Sequence, residues 1–247
     1  MSRWTLCFGI GFFVYKGMRK IKDNSLYLVL TEKYIEKRGV SQQVPVIEAA
    51  QQAVSAGVDI LQMREKSRSR EELVDLGTRL SEICREKGVT FIVNDDPGLA
   101  EETGADGVHL GQEDLITWTV ERTRGILGKD KIIGISTHSP EQFRAANDNG
   151  CDYIAFGPLF PTKTKDYFIG TKDIEKVLEM ARKPVIFIGG IDLGNVDTVL
   201  GKGAKNIAVI RAILQSGDIR ATVKNFKEKL MSADRLAGNK ARGTGWR

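Results

Sequence analysis

Two groups of side chains in this sequence have the types and spacing to hold an anion and a divalent cation together. Gln62, Arg64 and Lys66 alternate within Gln-Met-Arg-Glu-Lys, so in an extended stretch all three share one face. Two cations and an amide aimed into a cavity are costly unless an anion meets them. Surface solvation is the competing reading, because the charged run continues through Lys66-Ser-Arg-Ser-Arg70. Asp95 follows Asn94, and Asp114 closes the segment His109-Leu-Gly-Gln-Glu-Asp. Carboxylates at neighbouring strand ends suit Mg²⁺, which takes one or two protein carboxylates and completes its shell with water and phosphate oxygens. Either aspartate alone reads more simply as a helix cap; facing an anion-binding loop together, they read as a metal pair.

That loop is Thr162-Lys163-Thr164-Lys165. Its hydroxyls and amines supply donors and positive charge along a phosphate or pyrophosphate, and Pro161 helps to hold its shape. A solvated polar loop is the plain alternative. Further on, Gly189-Gly190-Ile191-Asp192 and Ile210-Arg211 let backbone N–H groups approach a phosphate monoester, a signal that many barrels share. Ser136 and His138 sit in Gly134-Ile-Ser-Thr-His. His138 suits acid–base chemistry or, with Ser139, a helix cap. His109 reads as a packed core histidine, and no Ser-His-acid or Cys-His set assembles.

The elements that must position these residues form a regular series. Short apolar runs at Leu26–Leu30, Ile60–Met63, Thr90–Val93, Gly107–Leu110, Ile132–Ile135, Tyr153–Phe156, Val185–Ile188 and Ile207–Ile210 alternate with helical periods such as Arg70–Lys87 and Thr171–Ala181. Gly57-Val-Asp, Gly104-Ala-Asp, Gly150-Cys-Asp and Gly203-Ala-Lys each read as a left-handed helix cap followed by a strand. These glycines lie about 47, 46 and 53 residues apart, two βα units per interval. The expected fold is therefore a single (β/α)8 TIM barrel, with chemistry at the C-terminal ends of its strands. A doubly wound open sheet has the same periodicity.

Composition agrees. The chain has 247 residues, 41% hydrophobic and 28% charged, with a net charge of +5. That suits one globular domain and an anionic small substrate. No helix interleaves Lys and Arg with aromatics, so there is no case for nucleic acid. The three cysteines lack metal-like spacing and suggest a reducing, cytoplasmic setting. The apolar run Trp4–Tyr15 is too short to span a bilayer, so no membrane role is expected. Residues 1–24 are read as a disordered or loosely packed extension, with a docked helix or an export signal as alternatives. The barrel takes 25–232 and a basic flexible tail 233–247. A homo-oligomer is compatible with the sequence.

Six ordered segments resemble the thiamin phosphate synthase family: Gln62-x-Arg-Glu-Lys66, Asn94-Asp95, Ala105-Asp-Gly-Val-His-Leu-Gly-Gln-x-Asp114, Gly134-x-Ser-Thr-His138, Gly157-Pro-x-Phe-Pro-Thr-x-Thr-Lys165 and Gly189-Gly-Ile191. The resemblance runs from about Leu26 to Leu230. It implies condensation of two small phosphorylated heterocycles, hydroxymethylpyrimidine pyrophosphate and a thiazole phosphate, into thiamin phosphate and pyrophosphate. By position it implies that Gln62, Arg64, Lys66, Asn94, Ser136 and Lys165 hold the pyrimidine pyrophosphate, with Met63, Glu65 and Lys163 as further substrate-binding residues. Arg64, Lys66, Ser136 and Lys165 would act in the chemical step, and Asp95 and Asp114 would bind Mg²⁺. Thr162, Thr164, Gly190 and the backbone at Ile210 and Arg211 would hold the thiazole phosphate. Three features depart from the family pattern: Gly98 stands where a second Asp is usual, the loop between Lys165 and Gly170 is short, and Ile169 replaces a proline. A thiazole tautomerase-like isomerase and a non-catalytic thiazole phosphate-binding relative are the alternative functions.

Overall fold

The computed structural model describes residues 21–35, 46–162 and 166–243, with side chains through 235. The apolar N-terminal run, three of the four loop residues (Lys163, Thr164 and Lys165) and the end of the basic tail lie outside the described residues. The strands are β1 (Leu26–Leu30), β2 (Ile60–Met63), β3 (Thr90–Asn94), β4 (Gly107–Leu110), β5 (Ile132–Thr137), β6 (Tyr153–Phe156), β7 (Val185–Ile188) and β8 (Asn206–Val209). All neighbours are parallel, and β8 closes against β1 through Leu26↔Ile207 and Tyr27↔Ala208. Closure excludes the open-sheet alternative.

Helices α1 (Glu32–Ile35), α2 (Val46–Ala56), α3 (Arg70–Lys87), α4 (Pro97–Glu102), α5 (Val120–Leu127), α6 (Pro140–Asp148), α7 (Ile174–Met180), α8 (Val196–Gly201), α9 (Arg211–Leu214) and α10 (Ile219–Gly243) cover the barrel. The longest connector with both ends capped, α3, starts at a Ser69/Glu72 capping box and stops at Gly88, whose φ of 71° is left-handed. No helix among the described residues is long and apolar enough to cross a membrane.

Strand limits differ slightly from the hydropathy reading. β3 and β5 continue to Asn94 and Thr137, because Asn94 pairs with His109 and Ser136 with Ala155 in the ladder. Polar side chains end the apolar pattern before the backbone leaves the sheet. α7 begins at Ile174, later than the expected Thr171.

The repeated glycines do end helices with positive φ: 110° at Gly57, 65° at Gly104, 81° at Gly150 and 91° at Gly203. The acid that follows does more than turn the chain. Asp59 accepts the Leu26 N–H at 2.7 Å, Asp106 the Phe91 N–H at 3.0 Å and Asp152 the Ile133 N–H at 2.7 Å. In the fourth copy Asn206 takes the role, accepting the Ser25 N–H at 3.0 Å. Each even strand thus pins the start of an odd neighbour at the bottom of the barrel.

The packing has two layers. Most apolar side chains fill the shell between strands and helices. A small inner core holds Tyr27, Val29, Ile60, Ile92, Ile132, Tyr153, Ile186 and Ala208. Barrel interiors are ordinarily filled by branched aliphatics, so two tyrosines there are unusual. Gly134 makes room for one of them: a Cβ on it would stand 2.0 Å from the Tyr153 ring.

Candidate active site

A cavity of about 600 Å³ opens at the C-terminal ends of the strands. Strand alternation delivers Gln62, Arg64 and Lys66 to it together, as their spacing requires. The same alternation turns Met63 and Glu65 away, so their side chains do not join the site. Met63 is 2% exposed and packs outward towards Gly77 of α3. Glu65 accepts the Glu32 N–H at 2.6 Å, and its burial raises the carboxyl pKa.

Asp95 and Asp114 both face the cavity. Asp95 has a left-handed backbone, φ 66°, with its N–H on the His109 carbonyl at 2.8 Å. It does not cap α4. Asp96 does, accepting the Leu99 N–H at 2.8 Å, which removes the capping explanation for Asp95. Asp114 holds its own turn by accepting the Gly111 N–H at 2.8 Å. Lys66 Nζ lies 3.6 Å from Asp95 Oδ2. Burial, then a hydrogen bond and repulsion from Asp114, push the Asp95 carboxyl up to about 6. Among the described residues no three His, Cys, Asp or Glu side chains gather as a metal cluster. Two half-buried carboxylates, the one repelling the other, still fit Mg²⁺, which needs no more protein ligands than that.

Below these groups runs a line of hydrogen bonds. Gln62 Nε2 donates to the Tyr27 hydroxyl at 2.7 Å, which lies 3.0 Å from the Tyr153 hydroxyl. The Tyr153 hydroxyl is 2.8 Å from His109 Nδ1, and His109 Nε2 is 2.8 Å from Ser136 Oγ. Burial lowers the His109 pKa to about 4, so the ring is neutral. It also raises both phenols, so they keep their protons. His109 is thus buried, as expected, but it reaches the site through Ser136.

Across the mouth, Asn94, Thr162, Gly190, Ile210 and Arg211 line the cavity. Gly190 has φ 66°, and a Cβ there would stand 2.6 Å from the Pro161 carbonyl oxygen, so only glycine fits beneath the β6 loop. Arg211 lies over the Tyr34 ring, 6.0 Å from its centroid. His138 Nδ1 donates to the Gly157 carbonyl at 2.6 Å, and the ring meets Tyr167 edge-on. Ser139 alone caps α6, so His138 is not a cap. Ile169 donates its N–H to the Pro158 carbonyl at 2.8 Å, a bond that a proline there could not make.

Tyr27, Tyr153, Gln112 and Tyr167 were not legible as site residues. Tyr27 and Tyr153 sit inside apolar strand runs, where only an inward-facing phenol in a barrel strand could have signalled them, and Tyr167 lies in the loop between β6 and α7.

A family model described as thiamine monophosphate synthase matches residues 26–213. The chain is 36% identical over 207 residues to a thiamine-phosphate synthase of Persephonella marina, covering 83% of this chain and 95% of that one. It is 44% identical over 184 residues to a thiamine-phosphate synthase of Pelotomaculum thermopropionicum, covering 73% and 83%. Among solved structures, a thiamine phosphate pyrophosphorylase from Pyrococcus furiosus superposes with a TM-score of 0.75 at 30% identity, covering 85% and 96%.

Proposed function

The chain belongs to the thiamine monophosphate synthase family, and from that premise we propose that it condenses 4-amino-2-methyl-5-hydroxymethylpyrimidine pyrophosphate with hydroxyethylthiazole phosphate. It is an enzyme that transfers a pyrimidinylmethyl group. The products of the proposed reaction are thiamin phosphate and pyrophosphate. The observation that carries this reading is that Asp95 and Asp114 line the same cavity as Arg64 and Lys66. That arrangement suits a metal-bound pyrophosphate.

The step that fits these residue types is dissociative. The C–O bond to pyrophosphate breaks, and the leaving group departs with the electron pair. The thiazole nitrogen then closes the new C–N bond on the pyrimidinylmethyl cation. No general base is needed, consistent with a buried His109 whose pKa, lowered to about 4, makes it a weak base. Arg64, Lys66 and Lys165 stabilise charge as it builds on the leaving group. Gln62 and Ser136 grip the pyrimidine. Thr162, Thr164, Gly190 and the backbone at Ile210 and Arg211 hold the thiazole phosphate. Held by Asp95 and Asp114, Mg²⁺ would supply further charge neutralisation at the pyrophosphate. Alignment of two bound substrates contributes the remainder.

Cys84 and Cys151, both buried and neither in a disulfide, suit a reducing compartment such as the cytoplasm. Turnover by Lys165→Ala and Asp114→Ala variants tests the assignment. Each should fall by about a hundredfold or more, and near-normal rates would refute it.

A further inference from the structure

We propose that Tyr27 and Tyr153 are positioning residues: with His109 they form a one-way chain of hydrogen bonds that makes Gln62 an acceptor and Ser136 a donor towards the substrate, selecting an aminopyrimidine over its oxo counterpart. The selection rests on the function proposed above; the chain of bonds stands on geometry alone.

Each phenol, and a neutral imidazole, has one proton to share between two neighbours. Gln62 Nε2 gives its proton to Tyr27, so the Tyr27 proton must go on to Tyr153 across 3.0 Å. The Tyr153 proton then goes to His109 Nδ1 across 2.8 Å. That leaves the imidazole proton on Nε2, where it donates to Ser136 Oγ. The Ser136 hydroxyl proton is released to the cavity, as is the carbonyl oxygen of Gln62. Reversing the amide would reverse every link at once, so the two ends always remain one donor and one acceptor. The exocyclic amine and adjacent ring nitrogen of a 4-aminopyrimidine complement acceptor and donor in that order. A 4-oxo ring presents them the other way round.

Packing does not account for the two hydroxyls. Tyr27 is 2% and Tyr153 0% exposed, and phenylalanine would occupy the same interior space. Buried hydroxyls are costly unless bonded, and a fully satisfied chain away from water holds a single polarity firmly.

The test uses the intact protein. The chain has two histidines, so ¹⁵N spectroscopy of the imidazoles, assigned with a His138→Gln variant, reads the His109 tautomer without substrate. A proton on Nε2 in the wild type, shifting towards Nδ1 in Tyr153→Phe, is the expected result. A proton on Nδ1 in the wild type overturns the proposal. In kinetics, Tyr27→Phe should lower the preference, as kcat/KM, for amino- over oxo-pyrimidine pyrophosphate by at least about tenfold. The KM for thiazole phosphate should stay within about twofold, since uniform binding there is untouched. A merely structural defect would depress both pyrimidines alike, and that result also overturns it. If the wild type turns over neither pyrimidine, the functional reading fails, while the tautomer still decides the chain of bonds.

Discussion

Asp95 directly follows β3 and Asp114 lies in the turn after β4, and the two line one cavity, where Asp114 repels an ionised Asp95. Their charges oppose each other when both are ionised. The left-handed backbone at Asp95 keeps its carboxylate there, although Asp96 beside it already caps the helix. A cation bound there, as proposed for Mg²⁺, would relieve that repulsion.

That arrangement predicts an inverted pH response without metal. The carboxyl titrates near 4 in the unfolded chain and at about 6 when folded. Its stabilising protonated form is fully present below pH 4 and is lost as pH rises through 6. In EDTA at pH 7, Asp95→Asn should therefore be more stable than wild type by on the order of 1–3 kcal/mol, after allowing for partial exposure. The gap should close towards pH 4. Mg²⁺ should raise the Tm of the wild type and leave the variant unmoved, as ligand linkage requires. Denaturation curves with equal stabilities and no Mg²⁺ shift would contradict the pair's role.

Gly190 lies under the β6 loop in a conformation that side chains rarely adopt. Gly190→Ala should cost about 1–3 kcal/mol of stability and raise the KM for thiazole phosphate by about tenfold. An unaltered KM in the folded variant would remove Gly190 from the thiazole phosphate site.

Gly98 occupies the second position of α4, and a Cβ there would stand 3.4 Å from Arg70 Nη2 and from Asp96 Oδ1. Nothing forbids a side chain. Gly98→Asp should stabilise the fold by about 0.5–1 kcal/mol, through lost unfolded-state freedom and an acid at a helix start. Urea midpoints would register the gain, with turnover unchanged.

The bottom of the barrel should behave as scaffold. Asp106→Ala leaves the Phe91 N–H without the acceptor it has at 3.0 Å, and should cost about 1–3 kcal/mol. Activity of the folded fraction should stay normal, because this end lies opposite the cavity. A selective loss of kcat would show that the two ends are coupled.

The barrel was legible because a parallel sheet covered on both faces makes each strand an unbroken apolar run, and because the Gly-x-Asp repeat counts the βα units. Alternation alone brought Gln62, Arg64 and Lys66 to one wall. It also turns the side chains of Met63 and Glu65 away from the cavity. What could not be read was tertiary. Hydropathy does not distinguish Tyr153 as core filler from Tyr153 as a bonded phenol, nor reveal that His109 reaches Ser136 from another strand. Capping propensity pointed to Asp95, but the backbone turn gave that task to Asp96 and left Asp95 facing the cavity.

The most direct test of the central claim is pyrophosphate release by the purified protein in four mixtures: complete, without thiazole phosphate, without the pyrimidine substrate, and complete with EDTA. Release only in the complete mixture, matched by thiamin phosphate formed mole for mole, is the predicted result. No release with thiazole phosphate still bound, or release that persists in EDTA, would contradict it.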